Sequence, residues 1–260
     1  MEQGVAITKE NRQPSSDYYR TDRYDQAEHW VYDPFNPYGI IYYSYVKEVI
    51  RHWPCGGRKV LDVGCGDGYI GHEIWKKENQ TVEIIGVDYS EKALQHARRL
   101  APELKLYCRD LTTPNWTGGL PGPFDRVNFI ETIEHIDPKQ HKQILHSIHS
   151  VMEPGGLMMI SVPSLRLPRD PRTHYKHFSL TDITSQLGEA EFRVDKCCGL
   201  RGYYHIITPW WVKISLKLSP ARIMGWAMRL LYEVFLARAP LNLAGMYLIQ
   251  ATALRDGKEA

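Results

Sequence analysis

Two groups of residues in this 260-residue chain have the types and spacing to do chemistry. The first is Asp62-x-Gly64-x-Gly66-x-Gly68, with Cys65 and Asp67 in the intervening positions. A glycine-rich turn lets a ligand approach the backbone closely, and the N-terminus of a helix that follows it favours negative charge. Asp62 and Asp67 would repel a pyrophosphate, so the turn suits a cationic ligand. The third glycine comes one residue early for a dinucleotide fingerprint, with Tyr69 where the last glycine should stand, and the Gly-Lys-Ser/Thr of a P-loop is absent. The second group is Glu131-x-x-Glu134-His135. An imidazole titrating near neutrality suits general-base work.

From Lys59 onward, short apolar runs alternate with helical periodicity, the pattern of a parallel sheet with crossover helices. KVLDVG predicts a first strand, followed by the glycine turn and a helix with Ile70, Ile74 and Trp75 on one side. IIGVD is a second strand. Ser90 then caps a helix that buries Ala93, Leu94, Ala97 and Leu100 and stops at Pro102. LKLYC and RVNFI follow as strands. Asp137-Pro138-Lys139-Gln140 opens a helix predicted to carry Ile144, Leu145, Ile148, Val151 and Met152 inward and to end at Pro154-Gly155-Gly156. LMMISV is the fifth strand. Ser179 opens a helix reaching Gly188, FRVDKCC is the sixth strand and GMYLIQATAL the seventh. His141, His146 and His149 are expected on or beside the solvent face of their helix, and His72 and His96 on helix surfaces.

With these elements in place, VLDVGCGDG resembles the first motif of class I S-adenosylmethionine-dependent methyltransferases, and with FIETIEHI the chain resembles the ubiquinone-pathway O-methyltransferases and the methyltransferase type 11 group. The resemblance is strong over residues 59–162 and topological over 192–254. It implies a Rossmann-like, seven-stranded, mostly parallel sheet with helices on both faces. It also implies a cofactor site in which Asp62 helps hold the methionine amino group and the backbone of Gly64, Cys65, Gly66 and Gly68 passes under the sulfonium. Asp88 would accept the ribose hydroxyls, Tyr89 would lie against the adenine, and Asp110 and Leu111 would bond its edge. FIETIEHI resembles the acceptor-side segment of the same enzymes, which makes His135 the expected general base, oriented by Glu131 or Glu134. E-x-x-E-H with a later histidine, here His174 or His177, is also how small-RNA 2′-O-methyltransferases hold a divalent metal, and oxygen and nitrogen ligands of this kind could hold Mg²⁺, Mn²⁺ or Zn²⁺. The acidic, tryptophan-containing run that accompanies their last histidine is missing here, so metal-dependent methylation of an RNA end is the alternative. A non-catalytic S-adenosylmethionine-binding partner subunit is a second one.

The 32 basic and 30 acidic side chains nearly cancel, which excludes a general nucleic-acid binder. The five cysteines show no metal-binding or disulfide spacing and agree with a cytoplasmic protein. Residues 1–45 form a polar tail and a cap in which eight of the sixteen tyrosines fall; packing over the domain edge is the expected role of those rings, and direct ligand contact the other. Residues 46–260 form the methyltransferase domain, interrupted at about 199–243 by an apolar, basic insertion that should be helical. As a lid, the insertion implies a hydrophobic or aromatic small-molecule acceptor. The tryptophans and basic residues of 210–238 equally suit peripheral membrane contact, or packing within the chain or in a homodimer.

Overall fold

Successive side chains of a strand point to opposite faces, and the first strand shows the consequence. In β1 (Lys59–Val63), Val60 joins one apolar cluster while Leu61 and Val63 join another on the opposite side of the sheet. The computed structural model describes residues 23–32, 37–202, 229–230, 232–233 and 237–255. In chain order, α1 (Glu28–Val31) and α2 (Pro37–His52) precede β1. There follow α3 (Tyr69–Lys77), β2 (Glu83–Asp88), α4 (Glu91–Leu100), β3 (Lys105–Cys108), β4 (Phe124–Ile130), α5 (Pro138–Ser150), β5 (Met152–Pro163), α6 (Leu180–Glu189), β6 (Phe192–Leu200), β7 (Arg238–Ala239) and β8 (Met246–Ala253).

The strands form one mixed sheet in the order β3-β2-β1-β4-β5-β8-β6-β7. The pairs from β3 through β5 are parallel, and β8 lies antiparallel between β5 and β6. Side chains of α5 and α6, including Ile144, Leu145, Ile148, Ile183 and Leu187, pack on one face. Those of α2 and α3, including Tyr45, Val49 and Ile74, pack on the other, together with Trp53 just after α2. Full burial of each such aliphatic side chain contributes about 1.5–3 kcal/mol. The strand order reverses between β1 and β4, so the chain leaves these two carboxyl ends in opposite directions and opens a crevice there.

The expected caps form. Ser90 Oγ accepts from Ala93 N, Asp137 from Lys139 N, and Ser179 Oγ from Asp182 N. Three details differ from the sequence expectation. Helix α5 stops at Ser150, and Met152 already belongs to β5, paired with Phe124; Pro154-Gly155-Gly156 lies inside β5 where its register shifts against β4, with Gly155 at φ 81°. The apolar periodicity runs on through Val151 and Met152 because both remain partly or fully buried after the helix has ended. Second, His141 is buried and not on the solvent face. Its ring lies on Phe178 and its nitrogens meet Ile136 O at 3.1 Å and Gln186 Oε1 at 3.2 Å, because α6 docks on that edge of α5. Third, the sheet has eight strands among the described residues, since the two residues of β7 pair with Gly199 and Leu200; a two-residue strand has no alternation to read.

Most of the insertion at 199–243 lies outside the described residues, and with it most of 210–238. Its described end is tied to α2, where Lys47 Nζ bonds Glu233 Oε2 at 2.5 Å and Arg238 Nε bonds Glu48 Oε2 at 2.9 Å. Helix α2 itself runs unbroken across residues 45 and 46. No helix among the described residues is long and apolar enough to cross a membrane.

Candidate active site

Backbone shape at the end of β1 follows from its glycines. Gly64 and Gly66 adopt φ 72° and 54°, in the left-handed region that side chains disfavour. A Cβ on Gly64 would run into the Thr132 side chain, and one on Gly66 would lie 2.8 Å from the Tyr24 hydroxyl. The turn thus lies flush under a cavity of about 370 Å³, walled by the carboxyl ends of β1, β2 and β4, the segment after β3, and residues from the N-terminal cap.

Seven of the nine residues expected to hold a cofactor line this cavity: Gly64, Cys65, Gly66, Asp88, Tyr89, Asp110 and Leu111. Asp88 ends β2, buried, with Oδ2 accepting from Gly66 N at 2.9 Å and Oδ1 from Ser90 N at 2.8 Å. Burial outweighs these bonds and pushes its pKa up to about 6. Asp110 Oδ1 accepts from Thr112 N and Oγ1, which fixes the turn after β3. Asp62 and Gly68 are not on the wall. Gly68 is the N-cap of α3. Asp62 lies buried beneath the turn, with Oδ1 accepting from Asn128 Nδ2 at 2.6 Å and Oδ2 without a partner among the described residues; burial pushes its pKa up to about 7.

At the end of β4, Glu131 takes φ 47°, and this left-handed residue turns the chain out of the sheet. Its N–H donates to Ser161 Oγ at 3.1 Å, and Ser161 is held in turn by Tyr45 Oη at 2.6 Å. Arg201 Nη2 lies 3.4 Å from Glu131 Oε1. Glu131 and His135 line the cavity, whereas Glu134 is buried behind it. Burial first, and the Glu131 charge second, raise the Glu134 pKa well above the carboxylate range. His135 Nδ1 meets the Thr173 carbonyl at 2.8 Å, and since a carbonyl only accepts, Nδ1 carries a proton, which leaves the lone pair of a neutral ring on Nε2.

His174 comes beside it, the two ring centroids 4.7 Å apart. His177 Nδ1 donates to Leu167 O at 3.0 Å, and burial lowers its pKa, so its Nε2 accepts from His174 Nδ1 at 2.8 Å. Glu134, His135 and His174 bring one donor atom each within 4.8 Å of one another.

Sequence reasoning did not single out Tyr24, His29 or Tyr42, all of which line the cavity from the cap. The density of tyrosines marked the region, but no spacing rule selects which rings turn inward. Thr173 and Tyr175 also line it, carried on the segment between β5 and α6.

The chain matches the family model described as a methyltransferase domain over residues 56–197. It is 28% identical over 151 residues to the ubiquinone biosynthesis O-methyltransferase of Chromobacterium violaceum, covering 56% of this chain and 62% of that protein. It is also 28% identical over 156 residues to a probable S-adenosylmethionine-dependent methyltransferase of Mycolicibacterium smegmatis, covering 56% of each. The chain thus spans between about half and three-fifths of the length of these curated relatives. Among solved structures, magnesium protoporphyrin IX methyltransferase from Synechocystis with bound S-adenosylhomocysteine superposes with a TM-score of 0.58 at 16% identity, covering 91% of this chain and 96% of that one. A methyltransferase from Archaeoglobus fulgidus gives 0.55 at 22% identity, covering 80% and 90%. The fold, the glycine turn and the match over residues 56–197 together show that the chain belongs to the methyltransferase domain family, within the class I S-adenosylmethionine-dependent methyltransferases.

Proposed function

We propose that this protein transfers the methyl group of S-adenosylmethionine to a hydroxyl oxygen of a small, apolar or aromatic acceptor. The observation that carries the proposal is the single cavity shared by the glycine turn, Asp88 and His135. In this reading the cofactor lies over Gly64 and Gly66 with its ribose at Asp88 and its adenine between Tyr89 and Leu111. The acceptor enters beside Glu131 and His135. Its oxygen attacks the methyl carbon as the carbon–sulfur bond breaks, the electron pair neutralises the sulfonium, and the hydroxyl proton passes to His135 Nε2. The Thr173 carbonyl holds the imidazole in the tautomer this requires. The names of the curated relatives, several of them O-methyltransferases, support oxygen as the methylated atom.

The test is incubation with labelled S-adenosylmethionine and a panel of phenols and catechols, followed by identification of the labelled product. His135→Ala should lower kcat by about 10²–10⁴-fold, the usual contribution of a positioned base, and leave S-adenosylhomocysteine affinity unchanged. Unchanged turnover would remove the support for oxygen methylation. The Glu134, His135 and His174 cluster favours a second reading, in which these three hold a divalent cation that polarises a vicinal diol or catechol. Turnover abolished by EDTA and restored by Mg²⁺ or Zn²⁺ would select it; turnover indifferent to EDTA would reject it.

A further inference from the structure

We propose that residues 23–32, which lie outside the part of the chain matched by the family, form a wall of the cofactor site, and that Asp67 is the group that docks them. Asp67 sits in the glycine turn, where its charge suited a cationic ligand, yet its side chain is fully buried and engaged by the cap. Oδ2 accepts from His29 N at 2.9 Å and Oδ1 from His29 Nδ1 at 2.8 Å, while its backbone carbonyl accepts from Trp30 Nε1 at 2.9 Å. His29 stacks on Tyr42, with centroids 4.9 Å apart and planes at 19°, and the Trp30 ring meets Tyr69 and His72 at 5.1 and 5.0 Å. His96 Nε2 on α4 bonds Tyr24 O at 3.1 Å. The segment is therefore fixed to the turn, to α2, to α3 and to α4.

The docked segment lays Tyr24 and His29 over the turn. Both line the cavity that Gly64 and Asp88 also line, and the Tyr24 hydroxyl stands over Gly66. With the cap in place the ligand is enclosed between the turn and these rings, in a low-dielectric site where a carboxylate such as Asp88 acts more strongly. With the cap undocked, the same turn faces water. Affinity then scales with the fraction of molecules whose cap is docked, so His29 and Asp67 control binding without sitting on the reacting atoms.

This inference rests on the reading of the cavity as an S-adenosylmethionine site, so the experiment separates the two. S-adenosylhomocysteine is titrated calorimetrically into wild type, His29→Ala, Tyr24→Leu and the His29→Ala/Asp67→Asn double variant, and hydrogen exchange of residues 23–32 is followed with and without it. The expected result is slower exchange of 23–32 in the complex, affinity about tenfold weaker in His29→Ala, as for a docked fraction reduced to about a tenth, a double variant no worse than His29→Ala, and weaker binding in Tyr24→Leu through loss of the ring from the wall. Tyr24→Leu acts from the ligand side and leaves the Asp67 bonds in place, so it tests the wall, and the exchange of 23–32 with and without S-adenosylhomocysteine tests the docking, if His29→Ala does not fold. A wild type that fails to bind S-adenosylhomocysteine overturns the cofactor reading and this proposal with it. A wild type that binds, with both single variants within about twofold of it, overturns the cap proposal alone.

Discussion

Replacing Asp88 by Ala tests the cofactor site at the residue where geometry and electrostatics are best defined. The carboxylate is expected to accept two ribose hydroxyls while it holds Gly66 N and Ser90 N at 2.9 and 2.8 Å. Hydrogen bonds to a charged group are worth about 1.5 kcal/mol or more each, so losing two weakens S-adenosylhomocysteine binding by about 3 kcal/mol, roughly a hundredfold. Wild-type binding should also depend on pH. Its ionised form is the acceptor, and with the pKa pushed up to about 6 by burial, affinity falls as pH drops through that value. One unit below it, at about pH 5, only about a tenth of the molecules carry the charge, so binding weakens up to about tenfold relative to pH 8. Titration calorimetry of both proteins at the two pH values measures this. A variant that melts cooperatively and binds within about threefold of wild type at pH 8 would refute the assignment.

Three further perturbations probe the scaffold of the site. Gly64→Ala forces a side chain into φ 72° and against Thr132, and should cost about 2–4 kcal/mol in urea unfolding together with cofactor binding; adding Thr132→Ala should recover only the steric part, and full stability in the single variant would contradict the geometry. Asp62 has its folded-state pKa pushed up to about 7 from an ordinary 3.8 by burial, so the folded state holds a proton that the unfolded state has released. Stability should therefore fall as pH rises from about 4 to about 7, by a total on the order of 4 kcal/mol. Urea unfolding of Asp62→Asn should lack that fall, and parallel pH profiles for variant and wild type would sink the claim. Ser90→Ala removes the cap of α4, whose Oγ accepts from Ala93 N, and should lower stability by about 1 kcal/mol while leaving the Asp88 bond to Gly66 intact; no change in Tm would argue against the cap.

The features legible in the order of the residues are local or periodic in origin. Ser90, Asp137 and Ser179 cap their helices because each signal lies within three residues of the N–H groups it satisfies. The run from Lys59 to Val63, the glycine turn and Asp88 were legible for the same reason: strand periodicity and left-handed glycines are written in adjacent residues. The order of the parallel strands then brings Asp88, Asp110, Glu131 and His135 to one crevice without further information. Tertiary structure decided everything that depends on residues far apart in the chain meeting. Only the docking of α6 on α5 shows that His141 is buried, and only the Thr173 carbonyl, 38 positions from His135, fixes its tautomer. Asp67 looked like a ligand group because its own neighbours are all glycine-turn residues. His29, 38 positions away, is what takes up its carboxylate, and no pattern in either segment encodes that pairing.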